Sequence, residues 1–195
     1  MDQRARILET AFQMFSGIGY TSVTMEQIAR RCGIGKATLY KHFASKEELL
    51  LGCVDYYTDR VRAEMEWVIA DETKSPQQKV VDFIVPVVRF VSHVNSSVLD
   101  DIQRLVPEAY ERIDTNRRSI ILSNIGRIMR EGKESGIFRE DVNEVLVAHV
   151  LIGTVSHLSN PQLMEEIGLP PGQLIQMVFS IVWNGCLSEK GRRMP

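Results

Sequence analysis

Between Thr24 and Phe43 the sequence allows little besides two short helices folded sharply against one another. Thr24 is a good N-cap, Gln27 stands three residues later as in a capping box, and Val23 and Ile28 are spaced as a hydrophobic staple. Gly33 falls where a helix begun at Thr24 wants a left-handed residue after two turns. Ala29 is small where two helices must cross closely, Gly33 allows the turn, and Leu39 locks the second helix onto the first. Ile28 and Ile34 fill the rest of that small core. The second helix opens at Gly35 and runs Lys36-Ala37-Thr38-Leu39-Tyr40-Lys41-His42-Phe43. Burying the apolar set, with Phe43 inside, leaves Lys36, Ala37, Thr38, Tyr40, Lys41 and His42 at its exposed start and outer face. The pattern is a helix-turn-helix, whose second helix is built to present its N-terminal residues to base edges in a major groove.

Helical periodicity governs the remainder, and strand alternation is absent, so the expected class is all-α. A first helix places Ile7, Leu8, Ala11, Phe12 and Phe15 on one face, and Gly17 and Gly19 end it. Ser45 and Glu48 form an S-x-x-E capping box for a fourth helix, marked by Leu49, Cys53, Tyr57, Val61, Met65 and Val68 as far as about Asp71. From Val80 to Val94, ten of fifteen residues are apolar, which predicts a central helix kinked at Pro86. A short helix follows around 95–106. Pro107 starts a long one reaching Glu134 and ended by Gly136. Two further helices are expected over 141–158 and 172–187, separated by a loop holding Pro161, Gly168, Pro170 and Pro171. The terminal KGRRM reads as a solvated end.

Charge and composition exclude several classes. The 195 residues carry 23 Lys+Arg against 25 Asp+Glu, but residues 1–50 carry a net +2 and the remainder −4, which suggests a local anionic partner for the N-terminal segment. No apolar run approaches the roughly 18 residues of a membrane span, and the first ten residues mix charges as a secretory signal would not. Three cysteines without a C-x-x-C pair fit a reduced cytoplasm. Cys32, near the turn, is either a redox sensor or a small core residue, with the core far the commoner use. His42, His93, His149 and His157 make no metal-ligand pair, and there is neither a G-x-S-x-G nor a phosphate-cradling glycine loop. No metal, cofactor or catalytic residue is expected.

Residues 7–50, ILETAFQMFSGIGYTSVTMEQIARRCGIGKATLYKHFASKEELL, resemble the DNA-binding domain of the tetracycline-repressor (TetR) family of bacterial regulators. The match lies in T-x-x-Q-I-A-R-R-C-G-I-G-K-A-T-L-Y-K-H-F followed by S-K-E-E-L, under a quarter of the chain. Gly35 departs from the Ser or Thr common in the family, which would remove a side-chain phosphate contact. The resemblance implies that Thr24 caps its helix and touches phosphate. It implies that Lys36, Ala37 and Thr38 face base edges, with Lys36 suited to guanine and Ala37 to a thymine methyl. Tyr40 and His42 would reach sugar-phosphate or bases, and Lys41 and Lys46 would neutralise phosphates. Arg30 and Arg31 read first as a solvated face.

The resemblance further implies a DNA-binding domain over 1–46 and a helical ligand-binding and dimerisation domain over 47–195. The partners would be a palindromic operator in double-stranded DNA, a small-molecule effector, and a second copy of the chain through the last two helices. Those helices are apolar on more than one side. Leu174, Val178, Ile181 and Val182 mark one side of the final helix; Ile175, Phe179, Trp183 and Cys186 mark another. Two apolar stripes on a terminal helix call for a partner's cover, and Gly153 and Gly185 would permit close approach. By analogy the effector would meet Met65, Phe90, Tyr110 and Met129, with Arg89 and His93 as polar anchors, although core packing accounts for the Met and aromatic residues equally well. The expected function is that of a repressor released by a mostly apolar ligand, and the same scaffold would serve with the ligand as corepressor. The rivals are a constitutive or architectural DNA-binding protein and, further off, a helical-bundle carrier or enzyme.

Overall fold

A computed structural model describes residues 2–93, 96–157 and 165–193, all but 89–93, 96–97 and 171 of them with their side chains. The elements are α1 (Gln3–Ile18), α2 (Met25–Arg31), α3 (Lys36–His42), α4 (Lys46–Ala70), α5 (Pro76–His93), α6 (Ser96–Leu105), α7 (Pro107–Glu134), α8 (Glu144–His157), α9 (Pro171–Cys186) and α10 (Glu189–Arg193). Among the described residues there is no strand, only an isolated antiparallel bridge between Phe138 and Leu187. No described helix is long and apolar enough to cross a membrane.

The chain packs into two units. The first holds residues 1–60 and 93–115, the second 61–92 and 116–195. Each therefore draws on two stretches of chain, where the sequence suggests a single cut after residue 46.

The first unit has its own core. Ile7, Leu8, Ala11 and Phe15 of α1, Ile28 and Ala29 of α2, Leu39 and Phe43 at α3, and Leu49, Leu50 and Cys53 of α4 are all buried together. Val98, Ile102, Val106 and Ala109 complete it, so α6 and the start of α7 buttress the N-terminal helices. The carboxylate of Glu9 accepts from Tyr56 Oη at 3.0 Å and Arg60 Nη1 at 2.9 Å, tying α1 to α4, while the Phe12 and Tyr57 rings stack at 3.8 Å.

The second unit centres on α7, whose Ile120, Ile121, Ile125, Ile128 and Met129 pack with Met65, Phe83, Leu151, Ile175 and Phe179. Gly136 takes φ +71 after α7, and the Ile137 N–H donates back to the Gly132 carbonyl at 2.8 Å, the left-handed stop expected from sequence. Gly132 is indispensable for another reason: a Cβ there would lie 1.9 Å from the Phe138 ring. Pro86 sits inside α5, as expected. Pro161 lies outside the described residues.

In the KGRRM stretch Lys190, Arg192 and Arg193 are exposed, as a solvated end would be, but Gly191 is buried; Met194 lies outside the described residues. Residues Glu189–Arg193 form α10, and Gly191 is buried so tightly that a Cβ would meet the Ile137 carbonyl oxygen at 2.3 Å. Lys190 Nζ donates to the Ser135 carbonyl at 2.7 Å and the Ser188 N–H to that of Ile137 at 2.9 Å. Residues 188–191 are thus folded onto the turn after α7.

Candidate nucleic-acid interface

The two short helices α2 and α3 are set by local hydrogen bonds. The Thr24 N–H donates to Gln27 Oε1 at 2.8 Å and the Gln27 N–H returns to Thr24 Oγ1 at 3.3 Å, a complete capping box. At the other end Gly33 adopts φ +66. Its N–H donates to the Arg30 carbonyl at 3.1 Å, and the Ile34 N–H donates to that of Ala29 at 3.0 Å. These two bonds are the Schellman pair that satisfies the last carbonyls of α2 while turning the chain. Gly35 then caps α3 in an extended conformation without a side-chain bond. Leu39, Ile28 and Ala29 are buried beneath the crossing.

That packing decides which side chains face water. Thr24, Lys36, Ala37, Tyr40 and Lys41 are exposed; Thr38, His42 and Lys46 are half-buried. Tyr40 is 41% exposed, while Phe43, which caps the end of α3, is buried in the core as expected. The hydroxyl of Thr24 accepts within the capping box and keeps its proton for an outside acceptor.

The basic groups are held in distinct ways. Lys36 pairs with Glu26 of α2, and its Nζ lies 5.7 Å from the centre of the Tyr40 ring. The bond to Lys36 holds the Glu26 carboxyl below the usual carboxylate range, and the same bond pushes Lys36 up, so both stay charged at neutral pH. His42 Nε2 is 3.1 Å from Gln3 Oε1 of α1. Lys46 places its ammonium 4.2 Å over the ring of buried Tyr20, and burial pulls its pKa down against the opposing pull of Glu47 and Asp101. Asp101 in turn accepts from Thr21 Oγ1 at 3.0 Å. The Glu48 N–H donates to Ser45 Oγ at 3.0 Å, one half of the expected capping box, while the Glu48 carboxylate accepts from the Ala44 N–H at 2.6 Å, one residue before the cap.

The eight residues singled out from sequence therefore fall on α3 and on the starts of α2 and α4. Sequence reasoning missed Glu26, Gln3 and Tyr20, the partners that hold Lys36, His42 and Lys46. Their only signal was opposite charge or polarity, at spacings no helical period connects.

The residues named for an effector are less gathered. Met65 and Met129 are fully buried in the core of the second unit, whereas Tyr110 packs on the core of the first. Arg89, Phe90 and His93 lie on α5, outside the residues whose side chains are described. Among the described residues no group of three or more His, Cys, Asp and Glu could hold a metal ion. All three cysteines, Cys32 among them, are free and buried.

On α8, Val145, Leu146 and Val150 are exposed, and on α9 Met177 and Ile181 are, the last two at 52% and 69%. Leu146, Val150, Gly153 and Thr154 follow one helical face, as do Leu174, Met177, Val178 and Ile181. A Cβ added at Gly153 or Gly185 would meet nothing within 4 Å. The opposite side of α9, with Ile175, Phe179, Trp183 and Cys186, is buried in the core.

Residues 7–53 match the family described as "Bacterial regulatory proteins, tetR family". The HTH-type transcriptional repressor KstR2 of Mycobacterium tuberculosis is 30% identical over 152 residues, 74% of each chain. The uncharacterised HTH-type transcriptional regulator YvaF of Bacillus subtilis is 21% identical over 188 residues, covering 95% of this chain and 96% of its own. Among solved structures, a TetR/AcrR-family transcriptional regulator of Thermobifida fusca is similar with a TM-score of 0.70 at 23% identity, over 95% of this chain and 98% of that one. The shared fold is all-α, with a helix-turn-helix domain followed by a helical one.

Proposed function

The chain belongs to the tetR family of bacterial regulatory proteins, and on that premise we propose that it is a homodimeric repressor released from a palindromic operator by a small, largely apolar molecule. It is a DNA-binding transcriptional regulator. The observation that carries the proposal is the outer face of α3, where Lys36, Ala37, Tyr40 and Lys41 stand exposed on a helix fixed by the capping box of Thr24 and the turn at Gly33. Lys36, Ala37 and Thr38 would read base edges. Thr24, Lys41, Tyr40 and His42 would fix the helix against the backbone. Lys46, held over Tyr20, would add charge near the phosphates.

Pairing of two chains is supported by the apolar stripe of Leu146, Val150, Met177 and Ile181, which a lone chain leaves in water. A two-fold pair sets two recognition helices about one DNA turn apart, hence the palindrome. The effector would bind within the second unit, in the region of Met65 and Met129, and act by binding the DNA-free arrangement more tightly than the DNA-bound one. Such a protein works where the chromosome is, in the bacterial cytoplasm.

Selection of sites from random duplex DNA at two salt concentrations tests the reading. A two-fold symmetric site, weakening steeply with salt, is the expected result. Recovery of no symmetric site would sink the palindromic-operator proposal, and binding insensitive to salt would sink the phosphate assignments.

A further inference from the structure

From residue 10 to residue 46 the chain carries Arg30, Arg31, Lys36, Lys41 and Lys46 but a single acid, Glu26. Glu26 stands in the first turn of α2, more than half exposed, and its carboxylate binds Lys36 Nζ across the turn at Gly33. A carboxylate on a surface that meets a polyanion weakens binding unless the complex supplies it with a donor. Capping does not call for it, because Thr24 and Gln27 already close the start of α2 between themselves. Its charge favours the helix N-terminus, and it pairs with Lys36, but both effects are small at an exposed site.

The place of the carboxylate gives it a use. Lys36 opens α3, and an ammonium there suits guanine. Glu26 lies one hydrogen bond from that ammonium. On the major-groove edge of a G·C pair, the guanine O6 acceptor and the cytosine N4 donor are likewise joined by one hydrogen bond, that of the base pair itself. A donor and an acceptor side by side on the protein thus meet an acceptor and a donor side by side on the DNA. An A·T pair fits less well. Guanine offers the ammonium both O6 and N7, adenine offers N7 alone, and thymine O4 lies beside a methyl group. The neighbouring side chains do not compete for the cytosine amine. Gln27 Oε1 is taken by the capping box, Ala37 has no polar atom, and the hydroxyls of Thr24 and Thr38 donate as well as accept. Glu26 is the obligate acceptor of this group.

We infer that Glu26 is a base-reading residue: in the operator complex its carboxylate accepts from cytosine N4 of the G·C pair whose guanine Lys36 contacts, and the two side chains together specify that pair. On binding, Lys36 turns from the carboxylate to guanine, and the carboxylate takes the cytosine amine in its place. The reading surface then includes the start of α2 as well as α3. This rests on the reading of α3 as the helix that enters the major groove.

Sites are selected from random duplex DNA with full-length wild type, Glu26→Ala and Lys36→Met. Wild type is expected to select a two-fold symmetric site with one G·C pair in each half whose preference over A·T falls about tenfold in either variant. The selected duplex is then remade with N4-methylcytosine at that position, which keeps the base pair but replaces the groove-facing amine hydrogen by a methyl group. This should weaken wild type about tenfold and Glu26→Ala no more than about twofold. Stronger binding of Glu26→Ala to non-specific duplex at low salt shows that the variant is folded and active. An equal loss on N4-methylcytosine in both proteins would mean that Glu26 only steers Lys36. A site at which Glu26→Ala keeps every preference would mean that it reads nothing. Either result overturns the inference while leaving the operator reading intact; no selected site with wild type would defeat both.

Discussion

Lys36, the first residue of the recognition helix, is held by Glu26 at the start of the helix before it, with the Tyr40 ring 5.7 Å from its ammonium. The pair spans the turn at Gly33, so the same backbone that crosses α2 with α3 also sets where this charge points. Both partners are more than half exposed, and an exposed pair of this kind is worth little in stability. Its consequence lies in the proposed DNA complex, where Lys36 would exchange a carboxylate for a base edge and Glu26 would face a polyanion.

Glu26→Gln should therefore bind non-specific duplex DNA several-fold more tightly at low salt, because a repelling charge is gone and Lys36 is freed. Its preference for the operator over a mismatched site should fall. Lys36→Ala should do the opposite to total affinity and lose about 1–3 kcal/mol of discrimination at one base position. Titrations on matched and mismatched duplexes across a salt series measure both. Equal specificity ratios for wild type and Glu26→Gln would show that the carboxylate plays no part in readout.

The capping box makes a second, local prediction. Thr24→Ala removes the acceptor for the Gln27 N–H and should cost about 1 kcal/mol of unfolding free energy. Gly33→Ala, forced to φ +66, should cost a similar amount, about 1–2 kcal/mol. Denaturant titration gives both values. A Thr24→Ala variant as stable as wild type would mean that water caps α2 as well as the side chain does.

The reach of the sequence follows the reach of the interactions. Thr24, Gln27, Gly33 and Leu39 were legible because every bond they make is to a residue within a few positions. The long α7 was legible for the same reason, with Pro107 opening it and Gly136 ending it. The buttressing of the N-terminal core by Val98, Ile102 and Ala109 was not, since their pattern states only that one face is buried, not against what. Gly191 gave no hint of burial because the atom that confines it, the Ile137 carbonyl oxygen, belongs to a distant turn. Glu26 was missed for a related reason: one charge among twenty-five acids carries no period.

Alkaline stability follows from two tyrosines. Burial, reinforced by the carboxylates of Glu47 and Glu9 respectively, pushes the phenols of Tyr20 and Tyr57 each up to about 12. An unfolded chain gives up those protons near pH 10, while the folded one keeps them. Their contribution is therefore complete below about pH 10 and drains away as the pH rises toward about 12. Unfolding free energies measured across that window should fall less steeply in Tyr20→Phe/Tyr57→Phe than in wild type. Parallel curves would place the alkaline loss elsewhere.

The exposed stripe of α8 and α9 makes the strongest demand on oligomeric state. Leu146 and Ile181 are 63% and 69% exposed in the single chain, while Val147, Leu151, Ile175 and Phe179 on the inner sides of the same helices are buried. A charge placed at Leu146 or Ile181 thus leaves the fold of one chain intact and would be buried only against a second copy. Leu146→Glu and Ile181→Glu should keep the wild-type helical content and melt cooperatively, yet sediment as monomers at concentrations where wild type is a dimer. Without the tether between two recognition helices, affinity for a palindromic site should drop by roughly 100-fold or more, toward that of a half-site. Val150→Ala, on the same stripe but without a charge, should only weaken the dimer. If both glutamate variants remain dimeric, the two copies pair through some other surface.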